Sequence, residues 1–326
     1  MGAKPHAAAL KALAPAIEVR GVFARDPARR AAFCAEHGFA EADDVAALAA
    51  DPLVDAALIL TPPNARAELV DIFATAGKPI LMEKPGERSL EAATALVARC
   101  AAADVPLGIV FQHRFRAASE ALAARLREGA LGQILAVAAE VPWWRDQGYY
   151  DEPGRATYAR DGGGVLISQA IHTLDLLLSM TGPVAQVQAM TGTVAHRMEA
   201  EDWAAAALRF ENGAMGHVVG STAAFPGAAE SIRMDCELAS VRLASGVLDI
   251  FWRDGRVEQV GETATTGGGA DPMAFPSDWH QSLIAEFAEA VQDGRAPRVT
   301  GQSALEVHKL IAAIEASAAE GRVISI

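Results

Sequence analysis

The first part of the chain alternates short apolar runs with amphipathic stretches of helical length. Apolar runs without polar alternation occur at residues 55–60, 79–82 and 106–110, and such runs are typical of parallel strands covered on both faces. Residues 17–23 have a further strand pattern, followed by a helical pattern at 27–38. Strands that alternate with helices of about 10–15 residues need crossover connections, so this part predicts a doubly wound parallel sheet of the Rossmann type.

The pattern changes after residue 116. An amphipathic helix at 117–128 is followed by strand patterns that tight-turn signals separate, at 134–141, 184–194, 203–210, 214–220, 231–236, 240–243 and 247–252. Strands joined by short turns predict a mainly antiparallel sheet. We therefore expect two domains, a dinucleotide-binding type at residues 1–116 and an open-sheet α+β domain at residues 117–326.

Other segments of the second part are helical or irregular. We expect a long helix at about 163–180 and closing helices at 278–292 and 303–319, because apolar residues recur there at helical spacing. Residues 143–160 form a polar, aromatic-rich loop, and residues 265–270 form a glycine-rich loop without the strand and helix of a phosphate-binding turn.

Composition narrows the class of protein. The chain has 326 residues, of which 51% are hydrophobic, and a net charge of -13. That length and apolar fraction predict a large core in two domains, and the acidic balance argues against nucleic acid or anionic membrane as a partner. Cys34, Cys100 and Cys236 have neither metal-site nor disulfide-framework spacing, so we predict no metal site and a reducing, cytoplasmic location.

Candidate chemistry lies at predicted strand ends. Thr61-Pro62-Pro63-Asn64 follows one apolar strand and Glu83-Lys84-Pro85 follows the next. In open α/β sheets ligands bind beyond the carboxyl ends of the strands, so both segments indicate one cleft. Asp161-Gly162-Gly163-Gly164 precedes a helix that carries His172. Lysine and histidine together suit proton transfer to or from a sugar hydroxyl, which makes an enzyme the leading interpretation.

With these residues the chain resembles the glucose–fructose oxidoreductase / inositol dehydrogenase (Gfo/Idh/MocA) family. The motifs that carry the resemblance are Thr61-Pro62-Pro63-Asn64, Glu68, Ala76-Gly77-Lys78, Glu83-Lys84-Pro85, Gly162-Gly163-Gly164 with His172 and Asp175, Asp293-Gly294-Arg295-Ala296-Pro297 and Thr300-Gly301. The resemblance implies hydride transfer between NAD(P) and a hydroxyl or keto carbon of a sugar, cyclitol or nucleotide-linked sugar acid. It also implies substrate binding by the second domain, and a homodimer or homotetramer formed through its sheet.

The beginning of the chain departs from the family pattern. Such a domain has a first central strand and a glycine-rich turn that admits the pyrophosphate. This chain opens on a helical pattern at residues 5–13, and Gly2 matches only the last glycine of that turn. Either the true start lies upstream and Met1 is an internal methionine, which we favour, or the domain is incomplete.

The expected cofactor residues follow from the same resemblance. Ala24-Arg25 stands where NAD-binding relatives carry an acidic residue, and an arginine accommodates a 2′-phosphate, so NADP is favoured over NAD. The alternative is that Arg25 is an exposed loop residue. Asn64 also suits a helix N-cap. We predict these cofactor-binding residues: Gly2, Ala24, Arg25, Thr61, Pro62, Asn64, Glu83, Lys84 and Gln112.

Lys84 and His172 are the predicted catalytic residues. A lysine near a cationic nicotinamide has a lowered pKa and shares a proton with the reacting hydroxyl, and His172 is the general base for oxidation or the acid for reduction. The structural alternatives are that Lys84 pairs with Glu83 and that His172 is a core residue. Ser168 replaces the usual carboxylate or amide four residues before the histidine. Gln169 or Asp161 then compensates for it.

Substrate contacts are predicted in three segments. Arg114 follows a strand end and binds a carboxylate or phosphate, or else makes a structural ion pair, whereas Asp175 is a structural acceptor and Arg66 receives no role. The aromatic loop is a candidate substrate lid, with Tyr149 and Tyr150 in it, and it is similar to the family branch that acts on nucleotide-linked amino-sugar acids. The predicted substrate-binding residues are Arg114, Trp144, Arg145, Tyr158, Ser168 and Gln169. A non-catalytic nucleotide or sugar sensor on the same scaffold is the alternative function.

Overall fold

The structure is a computed structural model that describes residues 2–265, 267–269 and 276–326. Two residues of the predicted glycine-rich loop, Thr266 and Ala270, lie outside the described residues. The chain forms two compact units. The first comprises residues 1–87, 91–110 and 277–303, and the second comprises residues 88–90, 111–276 and 304–326. A segment near the end of the chain thus belongs to the same unit as its beginning.

The described part of the chain begins with three helices, then helices and strands alternate as far as β3, and strands dominate afterwards. The helices are α1 (Ala3–Ala12), α2 (Pro27–His37), α3 (Val45–Ala50), α4 (Ala67–Thr75), α5 (Leu90–Ala102), α6 (Ala117–Arg127), α7 (Gln147–Tyr150), α8 (Ile171–Thr181), α9 (Asp278–Gln292) and α10 (Gly301–Glu320). The strands are β1 (Ala57–Ile59), β2 (Ile80–Glu83), β3 (Leu107–Val110), β4 (Ile134–Pro142), β5 (Val184–Gly192), β6 (Trp203–Phe210), β7 (Met215–Ser221), β8 (Ser231–Cys236), β9 (Ala239–Ala244), β10 (Val247–Trp252), β11 (Val257–Gly261) and β12 (Ile324–Ser325).

The first unit contains a parallel sheet in the order β1-β2-β3. Leu81 pairs with Leu58 on one side and with Gly108 on the other. All four residues of β3 are buried, which explains why the sequence of this strand shows no polar alternation. The predicted Rossmann-type sheet is therefore confirmed. The two predicted motifs that follow β1 and β2 begin at the same edge of this sheet.

Two local predictions in this unit are wrong. Residues 17–23 form no strand, because only Val22 makes a bridge, to Glu41, and a strand needs a continuous ladder of paired residues. The helix predicted from Asn64 is interrupted: a 3-10 turn, Pro63–Ala65, precedes α4. Asn64 lies within that turn and is not the N-cap, since Arg66 occupies the N-cap of α4.

The second unit contains a sheet in the order β11-β10-β9-β8-β4-β7-β6-β5-β12. Its described pairings are antiparallel except that of β4 with β7, so the mainly antiparallel prediction is confirmed. Sequence reasoning missed β11, which has no fully buried position, and β12, which has two residues. Both strands are edges of the sheet, where burial imposes little apolar alternation.

The two faces of this sheet differ in exposure. Val137, Leu208 and Val218 are buried on one face, and α8 packs against β4 and β8. On the other face Met190 is 71% exposed and Met215 is 49% exposed. The second face therefore presents apolar side chains to solvent within one copy of the chain.

The long helix predicted at 163–180 starts differently. A π-helical turn, Leu166–Ala170, carries Ser168 and Gln169, and regular α-helix begins at Ile171. Single π turns inside helices recur at functional sites. Among the helices of the described residues, none combines the length and the apolar character that a bilayer crossing needs.

Candidate functional site

Buried Arg66 joins the ends of β1 and β2. Its side chain is 2% exposed and donates hydrogen bonds to the carbonyl oxygens of Thr61 at 2.9 Å and Lys84 at 3.3 Å. It also donates to the carbonyls of Glu83 and Pro85. Burial lowers the pKa of Arg66 to about 10, while Glu83 and Glu87 oppose the shift, so the guanidinium stays charged at neutral pH. Sequence reasoning gave this residue no role.

Glu83, at the end of β2, belongs to a cluster with two histidines. His6 Nε2 lies 2.8 Å from Glu83 Oε1, and the rings of His6 and His280 meet edge to face at 4.8 Å. Burial opposes the charge of Glu83, but the hydrogen bond from His6 and the charges of His6, Lys84 and His280 outweigh it and lower the Glu83 pKa to about 2. Burial, with His6, lowers the pKa of His280 to about 4. Glu83 is thus ionised and His280 neutral at pH 7.

The same three side chains are metal-ligand types, and their ligand atoms lie within 4.8 Å of one another. A tetrahedral zinc site with bonds of about 2.1 Å needs ligand atoms about 3.4 Å apart. The 2.8 Å contact between His6 and Glu83 is shorter than that, because these two groups bind each other directly. The cluster as it stands is a hydrogen-bonded network next to Lys84 rather than a preformed cation cage.

Two groups in the first unit are of the kinds that bind a dinucleotide. Thr61 Oγ1 is buried and has no hydrogen-bond partner within the described chain. Gly2 is the N-cap of α1, and a Cβ at this position would meet no atom within 4 Å. An open helix N-terminus and an unsatisfied hydroxyl are groups that bind phosphate oxygens. A nicotinamide cofactor could use the open backbone at Gly2 and the free hydroxyl of Thr61, which precedes the turn that contains Pro62 and Asn64.

The contacts of Arg25 differ from those of Gly2 and Thr61. Its side chain is 73% exposed, and its guanidinium lies 3.7 Å from the exposed carboxylate of Glu68. Ala24 precedes it in the segment that makes only the Val22 bridge. The structure therefore gives Arg25 one loose surface pair, which leaves its guanidinium accessible to a phosphate.

In the second unit the three-glycine run fits tightly against backbone. Gly162 has φ +87°, and a Cβ there would lie 2.4 Å from the Arg88 carbonyl oxygen. A Cβ on Gly164 would lie 1.8 Å from the carbonyl oxygen of Glu201. The Glu201 carboxylate accepts hydrogen bonds from the N–H groups of Gly164 at 3.1 Å and Leu166 at 3.0 Å. These contacts require glycine and anchor the beginning of the helix that carries His172.

His172 lies among aromatic rings. Its imidazole stacks on that of His113 with centroids 4.8 Å apart and 27° between the planes, and Phe111 meets it edge-on at 5.9 Å. His172 is 7% exposed and His113 is 4% exposed. Sequence reasoning missed His113, although it stands in the same strand-end motif as Gln112 and Arg114.

Arg114 and Asp175 form a buried bidentate ion pair. Arg114 Nε and Nη2 lie 2.7 and 2.6 Å from the two oxygens of Asp175. Arg114 thus makes the structural ion pair that was the alternative to a role in substrate binding. Asp175 is the acceptor in this pair. Two of the predicted site residues, Gln112 and Gln169, have side-chain oxygens that are buried and without a hydrogen bond among the described residues. Both oxygens are therefore able to accept from a ligand.

The aromatic loop of the predicted lid is internally bonded. Arg145 is 3% exposed and donates to the carbonyls of Trp144, Gly267 and Gly269 at 2.7 to 2.8 Å. Tyr150 is buried against Thr222, with its hydroxyl 2.6 Å from Thr222 Oγ1. These contacts give Arg145 and Tyr150 packing roles within the loop.

Other residues of this loop region keep accessible surface. The Tyr158 side chain is 48% exposed, and Trp144 packs edge-on against Phe225 at 5.3 Å. The amide nitrogen of Gln169 lies 3.4 Å from the Tyr149 hydroxyl. Asp161, considered as a substitute for a carboxylate near His172, accepts a hydrogen bond from the Ala156 N–H at 2.8 Å. Among the aromatic residues of this loop, Tyr158 is exposed, whereas Trp144 and Tyr149 are half-buried.

Comparison with known proteins identifies the class. The family model of the GFO/IDH/MocA oxidoreductases with an NAD-binding Rossmann fold matches residues 1–111. The model of the C-terminal domain of the same family matches residues 119–242. The chain belongs to the Gfo/Idh/MocA family of oxidoreductases, as the motifs around Lys84 and His172 predicted.

Individual relatives differ in substrate. D-apiose dehydrogenase of Rhizobium rhizogenes is 29% identical over 87% of this chain and 82% of its own length. D-xylose 1-dehydrogenase (NADP(+)) 2 of Haloferax volcanii is 26% identical over 97% of this chain and 96% of its own. The crystal structure of the WlbA dehydrogenase of Bordetella pertussis with NADH and UDP-GlcNAcA is 28% identical, with a TM-score of 0.84 over 99% of this chain and 95% of that one.

The His280 site generates a prediction about stability. The unfolded chain protonates this histidine below its ordinary pKa of 6.5, but the folded chain does so only near pH 4. The unfolded state therefore holds more protons in this window, and stability falls as the pH is lowered from about 6.5 to 4. Each such proton contributes a slope of about 1.4 kcal/mol per pH unit. His280→Gln should flatten the dependence by up to that amount.

Urea unfolding at pH 7, 6 and 5 measures this slope. Comparison of slopes, rather than of stabilities at one pH, removes the loss of packing that the substitution itself causes. His217→Gln, at an exposed position of β7, is the matched control and should leave the slope unchanged. An equal slope in the wild type and in His280→Gln would contradict the assigned neutral state of His280.

Proposed function

We propose that the chain is an NAD(P)-dependent dehydrogenase or reductase that acts on a CH–OH group of a sugar-like substrate. Family membership supports an oxidoreductase, and the observation that carries the assignment of residues is the Glu83-Lys84-Pro85 turn held by Arg66. A buried guanidinium bonded to three successive carbonyls fixes the backbone from which Lys84 extends. Such fixation is what a proton-transfer residue needs, because catalysis falls steeply with misplacement.

Lys84 and His172 are the proposed proton-transfer residues. In the oxidative direction the C–H bond of the carbinol breaks, the O–H proton passes to a base and the carbon becomes a carbonyl carbon. The bound nicotinamide supplies the hydride acceptor. His172, a buried imidazole with a fixed ring, is the proposed base in the second unit, and Lys84 is the proposed proton-sharing residue in the first unit. In the reductive direction the roles reverse.

NADP is the proposed cofactor in preference to NAD. The exposed guanidinium of Arg25, with a single loose carboxylate partner at 3.7 Å, is available to a 2′-phosphate. The relatives include an NADP(+) enzyme and a structure that contains NADH, so the family alone does not choose between them. The other proposed cofactor contacts are Gly2, Ala24, Thr61, Pro62, Asn64, Glu83, Lys84 and Gln112.

A nucleotide-linked sugar acid is the proposed substrate class, and a free pentose is the second candidate. The first rests on the similarity to the WlbA dehydrogenase with UDP-GlcNAcA and on the exposed aromatic side chain of Tyr158. The second rests on the similarity to D-apiose and D-xylose dehydrogenases. The proposed substrate contacts are Arg114, Trp144, Arg145, Tyr158, Ser168 and Gln169. Two of them already have protein partners, since Arg114 pairs with Asp175 and Arg145 donates to the Gly267 and Gly269 carbonyls. A parallel turnover screen of both classes with each dinucleotide distinguishes them.

Replacement of the lysine tests the catalytic assignment. Lys84→Met should lower kcat by about 10²–10⁴-fold, because the shared proton is lost, and should weaken NADPH binding far less, by about tenfold at most, because Lys84 is one of several proposed cofactor contacts. Steady-state kinetics and fluorescence titration measure the two quantities. Lys309→Met, which removes a half-exposed lysine paired with Glu306, is the control. Turnover that survives in Lys84→Met would refute the role, and a wild type that binds dinucleotide and ligand without turnover would favour the sensor function.

Replacement of Arg25 tests the cofactor assignment. Arg25→Ala should weaken NADPH binding by about 5–10-fold and leave NADH binding unchanged, because only the 2′-phosphate loses a charge-assisted hydrogen bond. The ratio of the two dissociation constants from fluorescence titration is the readout. Arg29→Ala, at an arginine with an 88% exposed side chain on α2, should change neither constant. An equal loss for both dinucleotides would contradict the proposal.

A homodimer or homotetramer is the proposed assembly, formed through the open face of the large sheet. Met190 and Met215 are exposed there, and small residues such as Ala205 and Ala207 lie between their strands. Met190→Glu should reduce the mass in light scattering toward that of one chain, because a buried charge opposes association. Leu53→Glu, at a 63% exposed position of the first unit, is the control. An unchanged mass would exclude this face.

The cytoplasmic location stays a prediction. A reducing compartment suits the buried cysteines that form no disulfide, Cys34, Cys100 and Cys236.

A further inference from the structure

The environment of His172 contains a second histidine whose protonation state is fixed by its partner. Arg116 Nη2 lies 2.5 Å from His113 Nε2. A guanidinium has only donors, so His113 Nε2 must present its lone pair. The proton of His113 therefore resides on Nδ1, and a doubly protonated His113 would place one N–H against another.

Arg116 is itself held from behind. Its Nη1 donates to Glu230 Oε1 at 2.6 Å, and the two side chains are 6% and 5% exposed. Burial lowers the pKa of Arg116 while Glu230 opposes the shift, and a guanidinium remains charged under such a shift. Glu230, Arg116 and His113 thus form a buried chain that ends on the face of the His172 ring.

Among the described residues, the titratable and charged groups connected to His172 through His113 or through its own helix belong to three elements. The 3-10 turn after β3 and the residue that follows it supply His113, Arg114 and Arg116, and α8 supplies Asp175. The loop before β8 supplies Glu230. Both carboxylates are already paired with arginines, Asp175 with Arg114 and Glu230 with Arg116. A proton added to His172 would therefore enter a buried region in which an arginine cation lies one ring away, and low solvation disfavours that charge.

We propose that His113 is a positioning residue for proton transfer at His172. The stacked ring fixes the plane of the His172 imidazole, and the neutral, Nδ1-protonated form of His113 favours an uncharged His172 that rests as a base. Arg116 and Glu230 act through His113. The inference rests on the proposed function only for the reaction that His172 serves, since the geometry and the tautomer are properties of the resting chain.

The first test is nuclear magnetic resonance of the full chain with ¹³C,¹⁵N-labelled histidine, in which His172→Gln and His113→Gln identify the two rings. His113 should show the neutral Nδ1–H tautomer and no titration between pH 5 and 8. His172 should titrate below the ordinary value of about 6.5, and His113→Gln should raise its midpoint by about half a pH unit or more, because water replaces the ring. A charged or Nε2–H His113, or an unchanged midpoint, would overturn the proposal.

The second test uses activity. His113→Phe keeps a stacked ring without the acceptor, whereas His113→Gln keeps an acceptor for Arg116 without the ring. We expect kcat within about fivefold of the wild type for Phe and a loss of about 10–100-fold for Gln, with KM little changed and the acidic limb of the pH profile at higher pH. Equal losses in both variants, or a smaller loss in Gln, would indicate a structural role only.

Folding and function remain separable in this design. Thermal unfolding and circular dichroism establish that each variant is folded. If His113→Phe does not fold, the titration midpoint of His172 in His113→Gln tests the proposal by itself. His37→Gln, on α2 in the other unit, is the control and should change neither kcat nor the His172 signal. A wild type without turnover would contradict the proposed function, while the tautomer and the midpoint would still support or refute the inference.

Discussion

The buried guanidinium of Arg66 is the constraint on which the first unit depends. Its guanidinium takes the place of water as the hydrogen-bond donor to the carbonyl groups at two strand ends. Burial of a cation is tolerated only when hydrogen bonds compensate for the lost hydration. Four carbonyl oxygens provide that compensation. Because these carbonyls belong to Thr61 and to the three residues of the Glu83-Lys84-Pro85 turn, the direction of Lys84 is coupled to the position of β1.

The second unit uses the same device behind its own reactive group. Arg116 is buried between Glu230 and His113, and His113 in turn supports His172. In both units a buried cation lies one residue or one ring away from the proposed proton-transfer residue, where a nearby positive charge disfavours the charged form of that residue. Rigid polar contacts therefore lie behind each proposed proton-transfer residue, which is what orientation requires.

Much of the fold was predictable because its signals are local. Apolar runs without alternation predicted β1, β2 and β3, and turn residues predicted most of the large sheet. The strand predicted at residues 17–23 does not form, because a strand needs a continuous partner distant in sequence, which a local pattern does not reveal. The predicted N-cap role of Asn64 is wrong because the cap lies where the backbone first becomes α-helical. Here Asn64 lies within a 3-10 turn that precedes that position.

The sequence by itself determined the family, the parallel and antiparallel sheets, and the positions of Lys84, His172 and the three glycines, because these depend on residue types at fixed short spacings. Only the tertiary structure revealed His6 and His280 beside Glu83, His113 against His172, and the ion pair that occupies Arg114. The physical reason is that hydrogen bonds and ring contacts join side chains far apart in the chain, as between Arg116 and Glu230 or between His6 and His280. No local pattern of polarity carries information about such partners.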